Sequence, residues 1–247
     1  MKNQADKAKK IEIITAELGR FTLSPDQLKK SAHALYDFYS FLDEYNRKVN
    51  LVADSSFEEF LYRHVLDSLS VIELIKSRNI RRIIDIGSGA GLPGIPICIL
   101  CSDVRLLSVE SIRKKTTFQE ELLKRLHLDG VTAVNMRAEA LAASDIRESA
   151  DMVVTRAVAD SSVLAEIALP FLKIGGIAVF YKGTNISTEL STAKKAISVC
   201  GGKLTSINTY KIREIDPERS LVIIEKVKPT PKKYPREVGV AFKNPIL

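Results

Sequence analysis

Asp85, Gly87, Gly89 and Gly91 stand at every second position in Ile-Ile-Asp-Ile-Gly-Ser-Gly-Ala-Gly-Leu-Pro-Gly, residues 83–94. Arg81 to Ile86 read as a short buried strand, with the Asp85 carboxylate emerging at its carboxyl end. Glycines without Cβ atoms let the following turn bend sharply and lie close to a ligand. Pro93 and Pro96 suit the first turn of a helix, where a missing N–H costs little. Strand, glycine turn and helix form the first half of a nucleotide-binding α/β unit, and ligands bind at that carboxyl edge. Three more residues are candidates for the same edge. Glu110 lies 19 residues after Gly91 and can accept both ribose hydroxyls of an adenosine. Its plainer use is as a carboxylate at the amino end of a helix. Arg156 and Lys182 follow two later strands and can meet a phosphate or a guanine edge.

Elements of alternating type must position these groups. Val104–Val109 is a second strand, Val131–Met136 a third, Asp151–Thr155 a fourth and Ile177–Tyr181 a fifth. Helices are predicted at 112–126, at 161–172 with closure by Gly175 and Gly176, and at 188–199. Residues 203–210 and 220–227 read as a final antiparallel pair. The alternation predicts an α/β fold with a doubly wound, mostly parallel sheet. Residues 1–80 read as a helical appendage. Ser24-Pro25-Asp26-Gln27 is a capping box, and Ser56–Glu59 is a second one opening a helix through His64 and Ile72. Residues 81–227 are the sheet domain, and 228–247 a basic, proline-containing arm.

The 247 residues carry a net charge of +7 and are 45% hydrophobic, within the globular range. No apolar run reaches membrane-spanning length and none has the flanks of a secretory signal, so cytoplasm is the expected compartment and no membrane is expected. The arm holds Lys228, Lys232, Lys233, Arg236 and Lys243 against Glu237 alone. It reads as extended, and serves equally as a solvated tail or a nucleic-acid contact. Cys98 and Cys101 form a C-x-x-C inside an apolar helix, with no second pair and no histidine cluster, so buried thiols are expected and no metal. The scattered histidines, 33, 64 and 127, assemble no catalytic set. Arg63-His64 with Asp67-Ser68 is a denser polar cluster than a helix core needs.

Gly89-Ala90-Gly91-Leu92-Pro93-Gly94 matches the G-x-G-x-x-G of dinucleotide enzymes in letters only, because the first glycine after the strand is Gly87. Asp85-x-Gly87-x-Gly89-x-Gly91 instead resembles the first motif of class I S-adenosyl-L-methionine (AdoMet) methyltransferases. The resemblance implies that the acid and the loop face the amino-acid end of AdoMet. It also fits five parallel units with a C-terminal strand pair.

Longer stretches resemble one family, the small-subunit (16S) ribosomal RNA guanine-N7 methyltransferases, also called glucose-inhibited division protein B. They are Tyr45-Asn46-Arg47-Lys48-Val49-Asn50-Leu51, residues 63–69, Asp85 through Pro96, Arg137-Ala138-Glu139 and residues 155–159. Lys182-Gly183, residues 219–223 and the tail around Lys233-Tyr234-Pro235-Arg236 continue the match. Val52 departs from the Thr usual there. The resemblance implies AdoMet contacts at Gly87, Leu92, Ala138, Glu139 and Arg156, with Glu110 at the ribose. It implies methyl transfer to N7 of a guanine in the decoding-region loop of 16S rRNA, on RNA or the small ribosomal subunit. A monomer is expected. Guanine N7 has a lone pair and no proton, so positioning without a strong general base suffices. Arg156 and Lys182 are expected to orient the guanine or its phosphate. An NAD(P)-linked oxidoreductase on the same fold, or a non-catalytic RNA-binding or assembly protein, would be the alternatives.

Overall fold

The computed structural model describes residues 2–184 and 186–247, with the side chains of Lys2 and Asn3 left aside. Its elements in order are α1 (Lys2–Leu18), α2 (Pro25–Asn46), a π-helical segment (Glu59–Leu66), a 3-10 turn (Leu69–Val71) and α3 (Ile72–Ser77). Then come β1 (Arg82–Ile86), α4 (Gly94–Leu100), β2 (Arg105–Glu110), α5 (Arg113–Leu126), β3 (Val131–Asn135) and α6 (Ala138–Leu141). The chain continues with β4 (Ala150–Arg156), α7 (Ser161–Ala168), a 3-10 turn (Leu169–Phe171), β5 (Leu172–Lys182) and α8 (Ile186–Val199). It closes with β6 (Gly202–Tyr210), β7 (Arg219–Lys226) and α9 (Val240–Lys243).

The seven strands run in the order β3-β2-β1-β4-β5-β7-β6. The first five are parallel, and β7 is antiparallel to both β5 and β6. Strand side chains alternate between two cores, as a period of two requires. Ile83, Met152, Val154, Ile177 and Val179 face one layer with α2, α4 and α5. Ile84, Ile86, Val153, Ala178 and Phe180 face the other, with α7 and α8. Helix α2 joins the first layer through aromatic contacts: the Phe41 ring stacks on Phe118 at 5.2 Å and Tyr45 meets it edge-on at 5.1 Å. The Ser24 box forms as expected, with Gln27 N donating to Ser24 Oγ at 3.2 Å and Ser24 N to Gln27 Oε1 at 3.0 Å.

Two local expectations are corrected. The single helix after Ser56 is instead π-helical over Glu59–Leu66 before tightening into the 3-10 turn and α3. Only half of the second capping box forms, since Ser56 N donates to Asp54 Oδ1 at 2.7 Å. The carbonyls of Arg63 and His64 accept from Arg156 Nη1, each at 3.3 Å, and that of His64 also accepts from the Ser68 hydroxyl at 2.5 Å. Gly175 and Gly176 do not close a helix. Helix α7 ends at Ala168, before Pro170, and both glycines lie within β5 where its register with β4 slips. A Cβ on Gly176 would stand 3.0 Å from three backbone carbonyl oxygens, including those of Ala150 and Asp151.

The arm is neither loose nor helical through most of its length; it is strapped to the domain. Arg236 donates from Nε and Nη2 to the two oxygens of Glu166, at 2.8 and 2.6 Å. Glu166 is fully buried on α7. Arg147 donates to the carbonyls of Thr230 and Tyr234 at 2.8 and 2.9 Å. Removing Arg236 would leave a buried carboxylate without its counter-charge. Arg236→Ala is expected to lower the free energy of urea unfolding by roughly 2–3 kcal/mol, below the full range for breaking a buried pair because the guanidinium is 30% exposed. An unchanged urea midpoint and slope would mean that the strap adds nothing to stability.

Candidate active site

The glycine turn sits where the sequence puts it, at the carboxyl end of β1. Gly87, Gly89 and Gly91 have φ of 69°, 58° and 84°, a region that favours glycine. A Cβ on Gly87 would come within 2.5 Å of the Val158 side chain, so only glycine lets the turn after β4 approach this loop. Asp85 is fully buried rather than emerging at the edge. Its Oδ2 accepts from Gly94 N at 2.9 Å, while its Oδ1 has no partner among the described residues. Burial raises its pKa to about 7, against the pull of the Gly94 amide and Arg156.

Glu110 does the plainer of the two jobs that its position suggested, at the start of a helix, and also holds the loop. At the end of β2 its Oε2 accepts from Gly89 N at 3.0 Å, and its Oε1 from Ile112 N, ahead of α5, at 2.8 Å. The carboxylate therefore braces the loop and the helix start. Gln119 on α5 escaped the sequence reading. It donates from Nε2 to Gly89 O at 2.8 Å and to Ser88 Oγ at 2.9 Å, and accepts from Ser108 at 2.6 Å. Its signal was a glutamine beside Phe118 on the buried side of an amphipathic helix. The Leu92 side chain is buried in the first core and lines neither cavity described next.

A small cavity of about 70 Å³ lies beside the turn, between Ile86, Gly87, Val109, Met136, Ala138 and Glu139. Ala138 and Glu139 open α6 rather than ending β3. Phe242 from the arm also borders this cavity. A larger cleft of about 570 Å³ opens at the carboxyl ends of β4 and β5, lined by Arg63, Asp67, Arg156, Tyr181, Lys182 and Arg219 among others. Val158 borders both. A further cavity of about 580 Å³ lies at the amino ends of β2 and β3 and contains none of the predicted site residues.

In the cleft, Asp67 is the hub. Its Oδ2 pairs with Arg156 Nη1 at 3.0 Å, and its Oδ1 with Arg219 Nη1 at 2.6 Å and the Tyr210 hydroxyl at 2.7 Å. Arg219 and Tyr210 were missed as partners, being 152 and 143 residues away in sequence. His64 is held neutral: burial and then the Arg156 charge lower its pKa to about 4, and its Nε2 has no partner among the described residues. Lys182 does reach the cleft, but its ammonium is 2.6 Å from Glu189 Oε1 and 2.7 Å from Ala159 O. Val52 is tolerated because Asn46 organises its turn, accepting from the amides of residues 51 and 52 at 2.7 and 3.0 Å. Cys98 and Cys101 are buried free thiols, and burial pushes the Cys98 pKa up. Among the described residues no group of three His, Cys, Asp or Glu side chains could hold a metal, and no helix is long and apolar enough to cross a membrane.

The residues present fit AdoMet. The cradle at Gly87 excludes a Cβ, Glu110 stands at the end of β2, and a buried carboxylate oxygen beneath the loop lacks a partner. Sheet order and site together define a class I methyltransferase fold. Solved structures share it at low identity. M. jannaschii TYW2 in complex with AdoMet superposes with a TM-score of 0.50 at 18% identity, covering 63% of this chain and 76% of that one. StiE O-MT superposes at 0.52 and 12% identity, covering 68% and 75%. The pattern of the GidB family, described as rRNA small subunit methyltransferase G, matches residues 31–222. The ribosomal RNA small subunit methyltransferase G of Clostridium tetani is 40% identical over 87% of this chain and 90% of its own. Those of Lactobacillus johnsonii and Bacillus subtilis are each 39% identical, covering 95% and 94% of this chain and 99% and 95% of theirs. The chain belongs to the rRNA small subunit methyltransferase G family.

Asp85 gives this site a pH signature. Its folded pKa, about 7, lies above the ordinary 3.8, so the folded chain keeps a proton that the unfolded chain releases in between. Stability from this group therefore falls as pH rises from about 4 to about 7. Asp85→Asn can keep the bond from Gly94 N. It is expected to gain on the order of 2 kcal/mol over the parent protein at pH 8 and almost nothing at pH 4, read from urea unfolding at both values. A gain independent of pH would refute the assignment.

Proposed function

We propose that this chain transfers the methyl group of AdoMet to N7 of a guanine in the decoding-region loop of 16S rRNA, working in the cytoplasm on the RNA or the small ribosomal subunit. The observation that carries this reading is the meeting of two cavities at Val158. One adjoins a glycine turn suited to an adenosine, and the other is lined by guanidinium groups. Membership of the family supports rRNA as the substrate class. When bound, AdoMet supplies an activated methyl group on a sulfonium.

The side chains then have a restricted task. Guanine N7 is unprotonated and attacks with its own lone pair, so no residue has to remove a proton. A donor placed on N7 would tie up that lone pair. Arg156 and Arg219 are therefore assigned to the guanine O6 or to a flanking phosphate, not to N7. Arg156 spends only Nη1 on its partners among the described residues, which leaves Nε and Nη2 for the cleft. Arg63, from the π-helical segment, stands at the rim, with its guanidinium 3.3 Å from the Glu59 carboxylate. Lys182 contributes less than its position in sequence suggested, because Glu189 compensates its charge.

Small subunits and naked 16S rRNA from cells lacking this gene are to be incubated with protein and labelled AdoMet, and the modified base mapped. Label at one guanine N7 in the decoding-region loop is expected. Label at another base would sink the specificity, and no label on either substrate would sink the reaction. Arg156→Ala is expected to lower kcat/KM about a hundredfold, the loss typical of a positioned donor, and Lys182→Ala less than about tenfold. Equal losses would overturn the ranking of the two cations.

A further inference from the structure

We infer that Phe242 of the C-terminal arm is the outer wall of the adenine subsite, so that the arm is part of the cofactor site. This rests on reading the cavity between Val109, Met136 and Ala138 as the place of the adenine ring. Phe242 borders that cavity although it lies more than a hundred residues beyond Met136 in sequence. Its neighbour Ala241 is buried against the domain, which leaves the Phe242 ring at the rim, 42% exposed.

Three contacts fix the ring there. The Arg137 guanidinium lies over it, 5.4 Å from its centre. Two residues ahead of it in the arm, Val240 begins α9, and the amide of Gly239 donates to Glu139 Oε1 at 2.9 Å. The Gly239 φ of 81° is what turns the chain into that bond. Earlier still, Arg236 is clamped on buried Glu166. The arm is thus tied to the same Ala138-Glu139 pair that borders the cavity from inside. An aromatic ring beside a purine-sized flat ligand adds apolar contact and stacking, whereas an aromatic ring left at a surface has no such use.

The test is calorimetric titration of the full-length protein and its variants with S-adenosylhomocysteine and, separately, with methylthioadenosine, which lacks the amino-acid end. Phe242→Ala is expected to raise the Kd of both ligands about tenfold, a common loss for one aromatic contact to a base. Phe242→Tyr is expected to stay within about twofold of the parent, and Lys243→Ala, the exposed neighbour, to bind as the parent does. The thermal midpoint of each ligand-free variant checks folding, and the tyrosine variant holds the test open should the alanine variant unfold. Unchanged binding by Phe242→Ala, a loss confined to S-adenosylhomocysteine, or an equal loss in Lys243→Ala would each overturn the inference while leaving the cofactor reading intact. Failure of the parent protein to bind either ligand would overturn the reading of the cavity and the inference with it.

Discussion

One buried carboxylate holds the amino-terminal helices to the working edge of the sheet. Asp67 sits between the π-helical segment and the 3-10 turn, and it binds the end of β4 through Arg156, the end of β6 through Tyr210 and the start of β7 through Arg219. The Tyr181 hydroxyl on β5 donates to the next residue's carbonyl, Ser68 O, at 2.8 Å. Four strands and the helical part thus meet within two residues. A buried carboxylate is costly unless paired and hydrogen-bonded, and this one has both kinds of partner. It also faces two guanidinium groups, so the cluster keeps a surplus positive charge. That surplus borders the cleft, where an RNA phosphate or the guanine O6 would compensate it, and it adds to burial in holding His64 neutral.

On the other side of Val158, Asp85 and Glu110 lie beneath and beside the glycine turn; burial and, last, the Glu110 charge raise the cost of charging Asp85, which lacks a partner for one oxygen among the described residues. A cofactor with an ammonium and a sulfonium suits a loop backed by two carboxyl groups and an unpartnered oxygen. The proposed transfer asks for no base. His64 is uncharged because it is buried, and the Tyr181 and Tyr210 hydroxyls are pushed up, first by burial and then by neighbouring charge.

Much of this was legible in the chain because it depends on short spacings. Alternating apolar residues disclosed the strands, Ser24 and Gln27 disclosed the start of α2, and the glycines at every second position disclosed the turn. The register of Gly87 was enough to set AdoMet against a dinucleotide. What could not be read depends on distant pairings. Nothing near Asp67 announces Arg219 or Tyr210, and Gln119 is an ordinary helix glutamine until Gly89 folds against it. The π-helical segment carries no local signal, and Arg156, which meets two of its carbonyls, is some ninety residues away. Gly175 and Gly176 read as a helix stop from local chemistry, but the β4 carbonyls packed against Gly176 place them in a strand. Lys182 was read correctly for place and wrongly for freedom, because Glu189 arrives from the next helix.

The arm shows how composition and structure can answer different questions. Five basic residues left a solvated tail and a nucleic-acid contact equally open, each for the whole segment. The fold divides them. Arg236 turns inward to a fully buried glutamate, and its attachment is structural. Lys228, Lys232, Lys233 and Lys243 remain exposed. Docking thus uses the one residue with a planar, two-pronged donor, the geometry that a buried carboxylate matches best. The lysines keep their mobile charge in solvent, where a polyanion can reach it. A segment can therefore be fixed to the domain through one guanidinium while its four lysines stay in solvent.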